Sequence, residues 1–475
     1  MIAYFKSELK RYLRSKKFWI AFVLVFTVFT FNAIELTNKG KDAVYTNMGS
    51  SYPAQYSSLN HITTTLLPVN YMQDENNPDN WIEIYDERFP KLQAALETYN
   101  ADYDVMMEAL AKGDMDTYVE KALDSWVFLS ALTIEIRNPI SGYNYHKYDD
   151  EVQKIINERG FGDLKEEILQ VIDENWQIAD WFYDSFPTAQ FMTRYFYTLH
   201  EQGIAPINQY SVNSSTLWYQ MCIHVLPFLI PVLILVMFFN VLDKDQKNGT
   251  LKQLLSLPRN TAYVIRGKIL SSFVATVILV VTPAILLSGV LAISDHFEQA
   301  SAPVLIRESE VMQLTPREDS EGMIQSYYDY GQIDRESLFI GISEYTPRRF
   351  MSTIESPKTE LNFTELWKFN IYSLGLIILY IAFLTNLFML CTTITKNKIA
   401  SAVLMAAIVV GGNVIVALKF TSKLSVINPF NFSNPVYNLS GLSVYYWPYA
   451  IIVLSSFTIG LYILNRLLFK RKRFY

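Results

Sequence analysis

Six long runs of apolar residues, almost free of charge, dictate what this chain can become: 18–34, 221–242, 269–293, 369–392, 399–418 and 447–468. A helix needs about 20 predominantly apolar residues to cross a hydrocarbon core roughly 30 Å thick, so each run is long enough for one transmembrane helix. Whole-chain averages conceal them. With 51% apolar and 18% charged residues and a mean hydropathy of +0.13, the 475-residue chain is only mildly more apolar than a soluble protein. The runs alternate with long polar stretches, which predicts a membrane protein with sizeable aqueous parts.

Basic residues precede the first run, as in a secretory signal peptide. Its end, Phe31-Asn32-Ala33-Ile34-Glu35, lacks the small-x-small cleavage pattern, so it reads as an uncleaved span. Lys and Arg in short loops near span ends are retained on the cytoplasmic side. They occur at Lys6, Lys10, Arg11, Arg14, Lys16 and Lys17; at Lys244, Lys247, Lys252, Arg259, Arg266 and Lys268; at Lys396 and Lys398; and at Lys470, Arg471, Lys472 and Arg473. With six spans, all four groups fall on one side. The expectation is a cytoplasmic segment 1–17, a cytoplasmic loop 243–268 and a basic cytoplasmic tail 469–475. Insertions 35–220 and 294–368 then face outward, as does the loop 419–446.

The net charge of −6 is unevenly placed. Between Glu35 and Tyr219 there are 29 Asp and Glu against 12 Lys and Arg, a surface that would repel nucleic acid and anionic lipid. The first insertion is long enough for a folded domain. From Asp86 to Gly203 it reads as helical: Leu92, Leu96, Tyr99, Tyr103, Met106 and Leu110 recur at three- and four-residue steps, and Val152, Ile155, Ile156, Leu164 and Ile168 repeat the pattern. Breaks are expected near Gly113, Asn138-Pro139 and Gly160. Its many aromatic residues, Trp126, Trp176 and Trp181 among them, fit a helical core, a membrane-interface belt or a cargo site. Glu308 to Tyr345 of the second insertion is polar and has no assignable pattern. The two cysteines, Cys222 and Cys391, fall within spans, too far apart to bond. No disulfide framework or cysteine zinc site holds the insertions, which suggests a bacterial protein.

The most specific local signal lies in the loop 243–268. Leu251, Leu254, Leu255 and Leu257 share a helical face, Asn248 or Thr250 can cap its start, and Pro258 stops it. Such a helix can lie on the bilayer or dock into a groove on a soluble partner; periodicity alone favours neither. The Gly249-Thr250-Leu251 start, the Leu254-Leu255-Ser256-Leu257-Pro258 core and the Gly267-Lys268 entry to the third span resemble the cytoplasmic loop of ATP-binding-cassette type-2 permeases. The N-terminal Glu8 to Trp19 is similar to that family's amphipathic connecting helix, and six spans with both ends inside match its topology.

The resemblance implies that Gly249, Thr250, Leu251, Leu254, Leu255, Leu257, Pro258 and Arg259 form the coupling helix that sits on a nucleotide-binding subunit. It also implies a second permease copy or a homologous permease, with ATP and Mg bound by the partner subunit. No Gly-x-x-x-x-Gly-Lys-[Ser/Thr] motif occurs in this chain, and Gly267-Lys268 leads into an apolar helix where it cannot cradle phosphates. Neither catalytic residues nor metal ligands nor a cofactor are expected in the chain itself. There is no His-Glu-x-x-His motif, and five histidines leave a metal site few ligands.

Within the spans, Pro227, Pro231 and Pro283 interrupt helix hydrogen bonding and should bend their helices. Asn386 and Gly411-Gly412-Asn413 put amides and a close-packing surface in the bilayer, where they line a pathway or hold helices together. His224 near the outer interface reads as a hydrated or packed residue or as a functional ionisable group. Residues 428–435 give tight turns among aromatics. By resemblance this connection dips back into the membrane as an outer gate; by itself it is also an ordinary anchored loop.

Together these readings give an all-α polytopic membrane protein of six transmembrane helices, with a large, mainly helical extracellular insertion and a smaller second one. Its expected function is that of the permease subunit of an ATP-driven exporter in the cell membrane, in contact with membrane lipid and a separate ATPase, and not with nucleic acid. The rival reading is a non-transporting membrane sensor or scaffold whose outer domain binds a ligand. It explains the insertions well and the loop 243–268 poorly. Cargo does not follow from these residues.

Overall fold

Ser15 opens the first long helix. Its Oγ accepts from the Phe18 amide at 3.2 Å, satisfying a donor that has no partner within the helix, and it separates two helices that the basic N-terminal segment would otherwise join. The computed structural model describes residues 2–43, 70–74, 77–84, 90–133, 149–164, 166–167, 186–207, 210–239, 241, 262–309, 360–395, 397–417, 425–440 and 445–471. In chain order these form α1 (Ile2–Leu13), α2 (Lys16–Ala43), β1 (Asn70–Asp74), β2 (Asn77–Ile84), α3 (Pro90–Lys112), α4 (Met115–Thr133), α5 (Asp149–Glu158) and α6 (Phe186–Gln202). There follow α7 (Leu217–His224), α8 (Leu226–Phe238), α9 (Ala262–Asp295), β3 (Pro303–Ser309), β4 (Glu360–Glu365), α10 (Leu366–Ile394), α11 (Lys398–Ala417), α12 (Pro435–Leu439) and α13 (Trp447–Arg471). They fall into two units, one of Met1–Thr37, Val212–Ala300 and Glu365–Tyr475, the other of Asn38–Ser211 and Ser301–Thr364.

The first unit is a bundle of apolar helices. Among the described residues five helices are long and apolar enough to cross a membrane, and a sixth is counted if the bent pair α7 and α8 is one span. Large apolar side chains such as Phe31, Phe228, Ile293, Val403 and Ile452 stand exposed on these helices, as lipid-facing residues do. α10 is the hub: 67% of its apolar window is buried, against 11% for α11, which lies at the bundle's edge. The helices also run past the ends of the apolar runs. The first begins at Lys16 and continues to Ala43, and the third begins at Ala262, so Arg266, Gly267 and Lys268 are helical and not part of the loop 243–268. Packing against α1 supplies the burial that a polar helix start lacks on its own.

The apolar run 221–242 is met by two helices, α7 starting already at Leu217, which meet at Val225 at 73°. Pro227 is the physical cause: it stands at the start of α8 and has no N–H to offer the preceding turn. Pro231 and Pro283 lie inside α8 and α9, and both helices continue through them. Cys222 and Cys391 are free and buried, while His224 is exposed at the end of α7.

Between α11 and α13 the chain makes short 3-10 turns at Ser425–Ile427 and Pro429–Phe432 and then α12. Asn428 and Asn434 side chains cap the last two, accepting from the amides of Phe430, Val436 and Tyr437. Part of this connection is buried: Phe432, Val436 and Leu439 have almost no exposure, while Ile427 stands half exposed. Phe430 meets Phe383 edge-on at 5.6 Å, well inside the length of α10. At Gly412 of α11 a side chain would collide with the Phe430 ring, and the Asn428 amide donates to the Gly412 carbonyl at 3.0 Å.

The second unit has its own core, built by Leu92, Leu96, Tyr99, Met106 and Leu110 of α3, Val119, Leu123 and Trp126 of α4, Val152 and Ile156 of α5, and Tyr195 and Phe196 of α6. α3 starts on Pro90, which needs no N–H partner at that position, and the Glu167 carboxylate accepts from the amides of Lys91 and Leu92. Gly113 ends it at φ 74° with the Asp114 amide bonded back to the Ala109 carbonyl. Asp114 in turn caps α4 through Thr117, whose hydroxyl and amide hold its carboxyl below the usual carboxylate range. Arg159 pairs with Asp124, and Lys121 with Asp102 at 2.8 Å. Asn138-Pro139, Trp176 and Trp181 lie outside the described residues.

Among the described residues the first insertion is mostly helical, and two short strand pairs that periodicity did not predict accompany the helices. β1 and β2 pair antiparallel, Tyr71 opposite Glu83, with a register shift at Asp74, and β3 pairs with β4. Val304, Leu305 and Ile306 of β3 are buried. A run this short cannot be told from a helical segment by periodicity, and its β-branched residues were the only local sign.

Candidate functional site

The segment with the most specific sequence signal, Gly249 to Arg259, lies outside the described residues; the nearest described residues on either side are Val241 and the start of α9. What holds these two places is α1. Tyr4, Glu8 and Tyr12 recur at four-residue steps and so share one face of that helix. Each meets α9: the Tyr4 ring lies where a side chain at Gly267 would have to go, Glu8 faces Lys268, and the Tyr12 hydroxyl is 3.4 Å from Ser272 Oγ. The pairs ascend together along both helices, so α1 runs beside the start of α9 in the same sense.

Lys268 is the pivot of this joint. Its side chain has no exposure, its Nζ donates to the Val241 carbonyl at 3.4 Å, and it lies 3.8 Å from Glu8 Oε2. Glu8, 7% exposed at the side chain, also pairs with Arg11 at 2.7 Å. Burial of an ammonium is costly unless paired and hydrogen-bonded, and here one carboxylate and one carbonyl supply both. The Tyr12 ring meets Phe238 edge-on at 5.2 Å, and burial pushes its phenol up to about 12, so it stays protonated. The last turn of α8, the residue Val241, the first turns of α9 and the helix α1 are therefore fastened at one place.

Sequence reasoning placed Glu8 and Tyr12 in the connecting helix and Lys268 in the loop motif, but it did not pair them. A signal was present: an amphipathic helix with a carboxylate on its buried stripe requires a cation opposite. Of the span residues it did single out, Asn386 is buried, and its amide donates to the Ala382 carbonyl at 2.8 Å. Asn465 of α13 donates to the Asn386 backbone carbonyl at 2.9 Å, joining α10 to α13. Asn413, half-buried on the mostly exposed α11, donates to the Val409 carbonyl at 2.8 Å. Pro227, Pro231 and Pro283 lie on α8 and α9, and the structure does not bring these five residues together at the joint.

No curated protein and no solved structure matches the chain. A family model described as ABC-2 family transporter protein matches residues 2–429, from α1 through α11 to the turns that follow it, with α13 beyond the matched residues. With that match across nearly the whole of its length, over a bundle of membrane-spanning helices, the chain belongs to the ABC-2 family of transporter proteins.

Proposed function

We propose that this multi-pass membrane protein is the permease subunit of an ATP-driven exporter, and that it takes its power stroke from a separate ATPase through the loop 242–261. Members of the family generally work with an ABC ATPase. The observation that carries the reading is the joint: Lys268 ties Val241 to α9, and Glu8 and Tyr12 tie α1 to the same place. A push on the loop is delivered to α1, α8 and α9 as one piece. The break at Val225 then gives the second span a place to change angle.

In this reading α7 and α8 make one span, which gives six, with both termini cytoplasmic and both insertions outside. Leu251, Leu254, Leu255 and Leu257 dock on the ATPase, beside Gly249, Thr250, Pro258 and Arg259. ATP and Mg are bound by that subunit and the chain performs no chemistry of its own. Two such membrane subunits, identical or homologous, flank the path, and the part-buried connection 425–440 closes it on the outer side.

The test is purification of the tagged chain in mild detergent with its bound partners. A stoichiometric ATPase with vanadate-sensitive turnover is expected, and Leu254→Asp with Leu255→Asp should abolish stimulation of that turnover while the chain still inserts. Recovery of the chain alone in repeated preparations, or unchanged coupling in the double variant, would sink the proposal.

A further inference from the structure

Helices α9, α10 and α13 leave between them a cavity of about 320 Å³, within the range of sites that hold small organic molecules. Ile269, Leu270, Phe273 and Ala382 make its wall apolar, and Arg266 and Asn386 supply the polar groups. The Arg266 guanidinium lies 5.7 Å over the ring of Tyr462, which also lines the space, and its Nε has no hydrogen-bond partner. Among the described residues no carboxylate pairs with it. Asn386 is 4% exposed, and its Oδ1 likewise lacks a partner.

Unsatisfied groups of this kind are expensive next to hydrocarbon, and each needs something that the described residues do not provide. Arg266 needs an anion. Asn386 Oδ1 needs a donor, which an acyl chain alone cannot be. The walls need apolar contact, and the half-exposed Leu270 opens them sideways toward the bilayer. The three helices that form the cavity are all long and apolar enough to span a membrane, and Arg266 stands in the first turns of α9, where a span meets the head-group layer.

We propose that this cavity holds one anionic phospholipid from the adjoining leaflet. Its phosphate lies against Arg266, a head-group hydroxyl satisfies Asn386, and an acyl chain runs along Ile269, Leu270 and Phe273. The site belongs to a single chain and does not depend on the ATPase. A lipid seated there braces α9 against α10 and α13 directly beside Lys268, so its occupancy bears on how stiffly the joint is held.

The experiment is native mass spectrometry of the full-length chain, exchanged into vesicle-derived nanodiscs of equal parts phosphatidylglycerol and phosphatidylcholine with the same acyl chains. One retained phosphatidylglycerol per chain is expected, preferred about fivefold over phosphatidylcholine, the factor one basic residue supplies at a membrane surface. Arg266→Gln should remove the preference. Ala382→Phe, which fills the cavity and leaves the charge in place, should also remove it, while Arg466→Gln on α13 should not. Absence of the preference in the natural chain, its survival in either cavity variant, or its loss in the Arg466 variant overturns the proposal. So does displacement by inorganic phosphate, which would make this a site for a free anion.

Discussion

Glu8→Gln is the sharpest probe of the joint. At 3.8 Å and an effective dielectric of about 20, the Glu8–Lys268 attraction is about 4 kcal/mol before desolvation is subtracted. Removing the carboxylate leaves a fully buried ammonium with the Val241 carbonyl at 3.4 Å. Loss of one partner from a buried pair costs about 3–5 kcal/mol. Lys268→Met is the milder change, because it removes the buried charge, keeps the apolar stem and leaves Glu8 on Arg11, whose side chain is 42% exposed. Its expected cost is on the order of 1 kcal/mol. Adding Lys268→Met to Glu8→Gln should therefore restore stability, with a coupling of about 2–4 kcal/mol.

The assay is a double-mutant cycle on the purified chain, read by unfolding in mixed micelles, with ATPase stimulation measured on the assembled complex. Glu8→Gln should lower both readings and the double variant should recover the first. The reasoning is refuted if the two changes add within about 0.5 kcal/mol, since Lys268 would then not depend on Glu8 for its burial.

Gly412→Ala should destabilise the first unit by about 1–3 kcal/mol, because its methyl group collides with the Phe430 ring, whereas Gly411→Ala, with nothing near its side-chain position, should be neutral; thermal unfolding of the two variants in detergent decides it. Asp114 has a carboxyl held below its ordinary value in the folded chain. Its contribution is present above the unfolded pKa of about 3.9 and is lost as pH falls through the lower folded value. Hydrogen exchange at the Thr117 amide should accelerate over that acid range, and Asp114→Asn, which still caps, should remove the acceleration. Arg159→Met should destabilise the second unit by leaving the part-buried Asp124 carboxylate unpaired, an effect expected at neutral pH and diminished in acid where that carboxyl is protonated; circular dichroism melts at two pH values measure it.

Apolar runs, the amphipathic N-terminal segment and the helical periodicity around Leu92 and Val152 were legible because each is a local pattern. Burial on one face and the length needed to cross a membrane leave a signature in consecutive residues. The break of the second span was legible as an expectation at Pro227, although not as one of 73° at Val225, since the angle depends on what α7 packs against. At Pro283 the helix α9 is continuous, so the ring interrupts hydrogen bonding there without ending the helix. β3 was hidden because its partner β4 lies some fifty residues further along, and only that pairing distinguishes it from a short helical run.

By itself the sequence determined that the chain is a membrane protein and that it resembles a permease family, because hydrophobic length and a loop motif are properties of short segments. Only the tertiary structure decided that Lys268 is buried against Glu8 and not a solvated loop cation, that Gly412 must be glycine to admit Phe430, and that Arg266 and Asn386 face one cavity. Those facts depend on residues far apart in the chain meeting in space. Side-chain type states what a group needs, and the fold alone states what it is given.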